Sequence, residues 1–176
     1  MTNTKSYEDV QKVIAENEVA FINLQFTDIA GMVKNQTIPV AEFDVAVDHG
    51  VWFDGSSIEG FARVAESDMY LMPDLDTFAL IPWERGPHTT TARVICDTFT
   101  PNGYPFPGDP RHVLRKAIEE CRACGYEYMI GPEAEFFLFL RNAAGQPTAQ
   151  PHDEAGYFDV STDLGPHIRR QMVNAL

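Results

Sequence analysis

The chain has 176 residues, 44% of them hydrophobic and 22% charged. It is long enough to bury a core without disulfide or metal staples, and too apolar to stay disordered. The 26 acidic residues against 13 basic ones give a net charge of −13, which excludes nucleic acid and an anionic membrane surface as partners, because both are held by Lys and Arg contacts. An acidic chain instead draws cations. The first twenty residues carry Lys5, Glu8, Asp9, Lys12, Glu16 and Glu18 and so lack the apolar stretch of a secretory signal. Three cysteines (Cys96, Cys121 and Cys124) then predict free thiols in a reducing cytoplasm. Cys121 and Cys124 have no second Cys or His pair to complete a zinc site, so they read as two thiols at a helix end.

Ser6, with Asp9 three residues on, predicts a capped helix over 6–18 whose Val10, Val13 and Ile14 share a face. Residues 19–26 read as a strand with Phe21, Leu24 and Phe26 as core candidates, and a turn at Ala30-Gly31 pairs it with a strand over 32–38. Pro39 opens a short helix over 40–48, which Gly50 closes. Residues 51–63 show no clean period and read as a long loop anchored by Trp52, Phe53 and Phe61. Strands follow at 69–72, 77–81 and 91–99, with Pro73, Asp74, Pro82 and Gly86 as punctuation. Four prolines and two glycines from Pro101 to Pro110 mark a boundary. Asp109 and Pro110 then start a helix that runs to about Cys124. Residues 126–131 and 133–141 read as paired strands, 142–156 as a polar loop or hairpin, and 164 onward as a helix inside which the sequence ends. That ending predicts a second domain cut short, with apolar edges that make the isolated chain prone to aggregate.

Two constellations carry chemistry. On a strand, Glu133 and Glu135 would point to one face with their stems about 6.6 Å apart. With Phe136, Phe137, Leu138, Phe139 and Leu140 following, that strand is expected to be buried on both faces. Desolvation and mutual repulsion would then disfavour both charges, a conflict that divalent cations relieve. The alternative is a solvated strand end just after Gly131-Pro132. Asp54-Gly55-Ser56-Ser57 is by composition a surface turn, but one set in a long loop with three aromatics, where an aspartate can bind a cation or accept a proton. The five histidines show no metal-ligand spacing, and no glycine-rich phosphate loop of the common kinds is present.

Five blocks in order then resemble the signature segments of type I glutamine synthetases: FTDIAGMVKN (26–35), WFDGSSIEGFARVAESDMYLMPD (52–74), PFPGDPR (105–111), GPEAEFFLF (131–139) and GYFDVSTDLG (156–165). The resemblance implies an α+β chain: an amino-terminal helix (1–15), a β-grasp domain (16–101) and the truncated start of a partial-barrel catalytic domain (102–176). It implies ATP-dependent ligation of ammonium to L-glutamate, Mg²⁺ or Mn²⁺ at two sites, and a homo-oligomer of two stacked hexameric rings with active sites between subunits. Glu133 and Glu135 match metal ligands of the family. Asp54 matches the aspartate lent to the adjacent subunit to bind ammonium and take its proton, and Ser57 lies on the same lent loop. Arg63 matches an arginine that mediates glutamine feedback in one subclass. The ATP-site residues are expected beyond Leu176. The rivals are a non-catalytic β-grasp binding or oligomerisation module and a related glutamate–amine ligase.

Overall fold

The computed structural model describes residues 5–58, 68–156 and 158–175. Ser6 caps helix α1 (Tyr7–Glu16) reciprocally: its hydroxyl accepts the Asp9 N–H at 3.1 Å, while the Asp9 carboxylate accepts the Ser6 N–H at 3.0 Å. Two of the helix's orphan donors are thereby satisfied. Val10 and Ile14, one turn apart, are buried.

Strands β1 (Phe21–Thr27) and β2 (Val33–Pro39) form the expected antiparallel hairpin, in register from Phe21↔Pro39 to Thr27↔Val33. Ile22, Leu24 and Phe26 face the core. Phe21 does not: it is 40% exposed. The two-residue period of a strand sends odd positions of β1 to the other face, so a core reading can take Phe21 or Leu24 but not both.

A 3₁₀ turn (Val40–Glu42) leads into α2 (Phe43–His49), which Gly50 ends at φ 72°. A Cβ on Gly50 would lie 2.7 Å from Tyr70 Cδ2 and 2.9 Å from the Leu71 carbonyl oxygen, so both backbone conformation and space demand glycine. Where a loop is expected, Val51–Asp54 forms strand β3, paired antiparallel with the start of β4 (Asp68–Leu80). Four residues at a sheet edge are too few for alternation to show in sequence; pairing with β4 makes them a strand. β4 likewise runs unbroken through Pro73, where two strands are expected. The last β3–β4 partners are Val51↔Leu71, so the N–H that Pro73 lacks is not missed by β3. The irregularity expected at this point is a shift of register against β5 (Thr91–Phe99) between Asp74 and Ala79.

The sheet order is β2-β1-β5-β4-β3, with β5 in the middle, parallel to β1 and antiparallel to β4. This is the β-grasp arrangement. Its core joins Ile22, Leu24, Leu71, Ala92 and Val94 of the sheet with Val10, Ile14, Phe43 and Ala46 of the helices.

Helix α3 (Pro110–Ala123) belongs to the same compact unit, which spans Met1–Tyr128. Asp109 starts it in two ways: Oδ1 accepts the Arg111 N–H at 2.9 Å, and Oδ2 accepts the Thr98 N–H of β5 at 3.0 Å. Arg111 and Arg115, one turn apart, reach Asp74 (2.5 and 2.8 Å) and Asp97 (2.8 and 3.3 Å). Cys121 lies in the last turn of α3 and Cys124 at its cap, both as free thiols.

The second unit, Met129–Leu176, contains a hairpin of β6 (Phe139–Arg141) and β7 (Pro147–Pro151), and helix α4 (Pro166–Ala175). The expected pairing of 126–131 with 133–141 is absent; only Phe139–Arg141 is a strand, and its partner is β7. Pro132 lacks a ladder donor at the point where such a hairpin would close, and the apolar residues beyond it gain no second strand to pair with. No helix among the described residues is long and apolar enough to cross a membrane.

Candidate functional site

Asp54 ends β3 and caps the 3₁₀ turn Gly55–Ser57, its Oδ1 accepting the Ser56 N–H at 2.9 Å. The D-G-S-S turn is therefore an aspartate-capped turn fixed to a strand rather than a free loop. Gly55 is buried under it, while the Asp54 side chain stays exposed. Three things hold β3 in place: the close approach at Gly50, the ladder to β4, and Phe53 packed against Phe26 with ring centroids 5.2 Å apart. On the other face Trp52, 55% exposed, lies 5.2 Å from Tyr70, which stacks in turn on Phe99 at 5.4 Å. In the β3–β4 register Trp52 stands opposite Tyr70, and Asp54 opposite Asp68. Ser57 lies in the turn after Asp54. Arg63 and Phe61 lie outside the described residues.

Glu133 and Glu135 belong to the second unit, in a segment without regular secondary structure, and both are exposed. The burial expected of them is not found: Phe136, Phe137 and Phe139, meant to cover that strand, are themselves exposed. No buried like-charge conflict between Glu133 and Glu135 therefore arises to call for cations. What remains is the donor chemistry: carboxylate oxygens two residues apart suit a hard divalent cation such as Mg²⁺ or Mn²⁺. Among the described residues no group of three or more His, Cys, Asp or Glu side chains is gathered to hold a metal ion. Glu133 and Glu135 fit as part of a ligand set.

Two clefts lie elsewhere. One, against α3 and the β4–β5 edge, is lined by Asp74, Asp97, His112, Arg115 and Lys116 among others. The other, in the second unit, is lined by residues including Leu138, His152, Asp153, Asp163 and Arg169. Asp54, Glu133 and Glu135 line neither.

The family model for the β-grasp domain of glutamine synthetase matches residues 18–101, and the model for its catalytic domain matches residues 107–176. The chain belongs to the glutamine synthetase family. It is 49% identical over 170 residues to the glutamine synthetase of Clostridium saccharobutylicum, covering 96% of this chain and 38% of that one. Against the glutamine synthetase of Thermus thermophilus it is 49% identical over 172 residues, covering 96% and 39%. The chain thus spans under two fifths of the length of these relatives. Among solved structures, Plasmodium falciparum glutamine synthetase matches with a TM-score of 0.58 at 22% identity, covering 70% of this chain and 24% of that one. A structure described as a GmaS/ADP complex matches equally well, over 26% of its own length. These likenesses show the fold.

The sequence singles out Asp54 and leaves Asp28, Arg111 and Arg115 unremarked. The turn is read from Ala30-Gly31, and nothing local sets Asp28 apart. The two arginines become a pair only when α3 lies across Asp74 and Asp97.

Proposed function

We propose that this chain is the amino-terminal part of an enzyme that ligates ammonium to L-glutamate at the expense of ATP, giving L-glutamine through γ-glutamyl phosphate. The observation that carries this reading is the succession of the two glutamine synthetase family models along one chain. Asp54, on a turn anchored to the sheet edge, supports it as an exposed carboxylate held in fixed geometry.

Ammonium is cationic at neutral pH and has no lone pair to attack with. A carboxylate must first attract it and then accept a proton, leaving neutral ammonia as nucleophile. Asp54 supplies both functions; its exposure suits a residue completed by a neighbouring subunit, in a homo-oligomer of two hexameric rings. Ser57 follows on the same turn. Glu133 and Glu135 would hold Mg²⁺ or Mn²⁺ together with ligands from the rest of the enzyme. Such cations, when bound, neutralise charge on the phosphoryl group passing from ATP to glutamate. Arg63 is assigned to glutamine feedback, and the enzyme to the cytoplasm.

Asp54→Ala in the enzyme spanning the length of its relatives tests the assignment. Ammonium-dependent glutamine formation is expected to fall about 10²-fold or more. Equal ligation by parent and variant removes Asp54 from the mechanism. Offering methylamine and larger amines beside ammonium decides between ammonium and other amines as acceptor.

A further inference from the structure

Of the three free cysteines, one is sealed and two are not. Cys96 is 1% exposed within the sheet, and burial pushes its thiol up. Cys121 is half-buried and Cys124 exposed, and both stand on one turn at the end of α3. Two backbone bonds close that turn. Gly125, at φ 82°, donates its N–H to the Arg122 carbonyl at 2.9 Å, and the Tyr126 N–H donates to the Cys121 carbonyl at 3.1 Å. The pair makes a Schellman cap, with Cys121 as an acceptor residue and Cys124 as the cap. Both cysteines therefore belong to one stop signal.

Residues three apart on a helix have Cα atoms about 5 Å apart, inside the disulfide range. Their Cβ atoms lie about 5–6 Å apart, against about 3.5–4.5 Å in a disulfide. Bonding therefore needs the turn to tighten by about 1 Å or more. In mid-helix the next rungs would resist this. Here only the cap bonds follow, and Tyr126 is 72% exposed, so the distortion falls on the cap. A ring closed over so few residues takes little entropy from the unfolded chain, so it is no structural staple. Its strain makes it readily reduced again.

We infer that Cys121 and Cys124 form a reversible disulfide with small disulfide oxidants such as oxidised glutathione, and that closing it opens the cap of α3. Cys124, the more accessible, attacks as thiolate one sulfur of the oxidant and releases one thiol, leaving a mixed disulfide. Cys121 then attacks the Cys124 sulfur and expels the second thiol. Two electrons pass from the cysteine pair to the oxidant, and the two cysteine protons end on the two thiols released.

The test uses the enzyme spanning the length of its relatives, held in glutathione buffers from fully reduced to fully oxidised, quenched with acid, alkylated and mapped by mass spectrometry. Trypsin cuts after Arg122, between the two cysteines, so the bond is read as a linked peptide pair. In the parent this pair is expected to dominate on the oxidised side and to vanish when reduced glutathione is restored. Cys121→Ser, which lacks the resolving thiol, is expected to accumulate the mixed disulfide on Cys124, while Cys96 stays a thiol throughout. In the oxidised parent the Gly125 and Tyr126 amides should exchange hydrogen about five- to tenfold faster, the measure of one lost hydrogen bond; in oxidised Cys121→Ser they should not. Mixed disulfide on the parent's Cys124 without a linked pair overturns the inference, and so does a linked pair that survives reduced glutathione. A linked pair with unchanged exchange at Gly125 and Tyr126 overturns the opening of the cap.

Discussion

Asp28 is the residue on which the first hairpin turns. It is buried, yet its carboxylate is fully occupied: Oδ1 accepts the N–H groups of Met32 at 2.8 Å and Ala30 at 3.0 Å, and Oδ2 meets Lys34 Nζ at 3.1 Å. The backbone closes the same turn, with Gly31 N–H donating to the Asp28 carbonyl and Asp28 N–H to that of Met32. The Met32 N–H does most to hold the Asp28 pKa below the usual carboxylate range, with the Lys34 ammonium adding to it against the opposing effect of burial. A depressed folded-state pKa contributes stability that is fully present above the unfolded value, about 3.9, and is lost as pH falls through the folded one. Asp28→Asn is therefore expected to melt below the parent at pH 7, with the difference shrinking as the pH is taken below 4. Circular-dichroism melts across pH 2–7 measure it, and a difference constant over that range contradicts the charge argument. The turn itself is legible from Ala30-Gly31. The role of Asp28 is not, because what singles it out is burial, which depends on distant parts of the chain.

Elements fixed by local chemistry are the ones the sequence reveals. Helix α1 is announced by Ser6 and Asp9, α3 by Asp109-Pro110 and Gly125, and β5 by the β-prone Thr91, Val94, Ile95, Thr98 and Phe99 between turn signals. Those that depend on a neighbour are missed: β3 exists through its ladder to β4, and the Glu133 segment stays irregular because no partner lies beside it. Gly50 joins the two kinds, legible as a helix cap yet also the point where β3 presses on β4. Gly50→Ala must adopt positive φ and push against the Leu71 carbonyl oxygen 2.9 Å away, a backbone contact that cannot swing aside. A loss of about 1–3 kcal/mol in denaturant unfolding is expected, together with impaired ammonium use in the whole enzyme, since Asp54 rides on the displaced strand. Stability equal to the parent's would mean that the strand yields freely. The α3 clamp makes a second prediction at this scale. Burial alone would raise the pKa of Asp74, but hydrogen bonding to Arg111 and the charges of Arg111 and Arg115 overturn this and hold it low. Arg111→Ala, which strips the less exposed arginine from both aspartates, should cost about 1–3 kcal/mol. Lys116→Ala on the same helix serves as control, and equal effects of the two would show that the clamp contributes nothing of its own.

At the scale of the whole molecule the two units differ in how much apolar surface they hide. The buried core cluster lies within the first unit, from Val10 to Cys96. In the second, Gly165 alone among the described residues is buried, while Met129, Ile130, Phe137, Phe158 and Val160 are mostly exposed. The glutamine synthetase family assigns α3 to the catalytic domain, whereas its capping aspartate and its two arginines bind it to the β-grasp sheet. The stable unit therefore passes beyond the sequence boundary near residue 101. Local opening is cheapest where few apolar contacts are lost, and exposed apolar groups invite association. Brief proteolysis of the 176-residue chain should leave a resistant fragment running from the amino-terminal helix to about the end of α3, with first cuts between residues 126 and 160. The intact chain should bind a hydrophobic dye and self-associate, and the trimmed fragment should do neither. Both are read by mass spectrometry and light scattering on one digest. A fragment ending near residue 101 would show that Asp109, Arg111 and Arg115 do not anchor α3. Equal resistance of the two units would show that the apolar residues beyond 128 are covered when the chain stands alone.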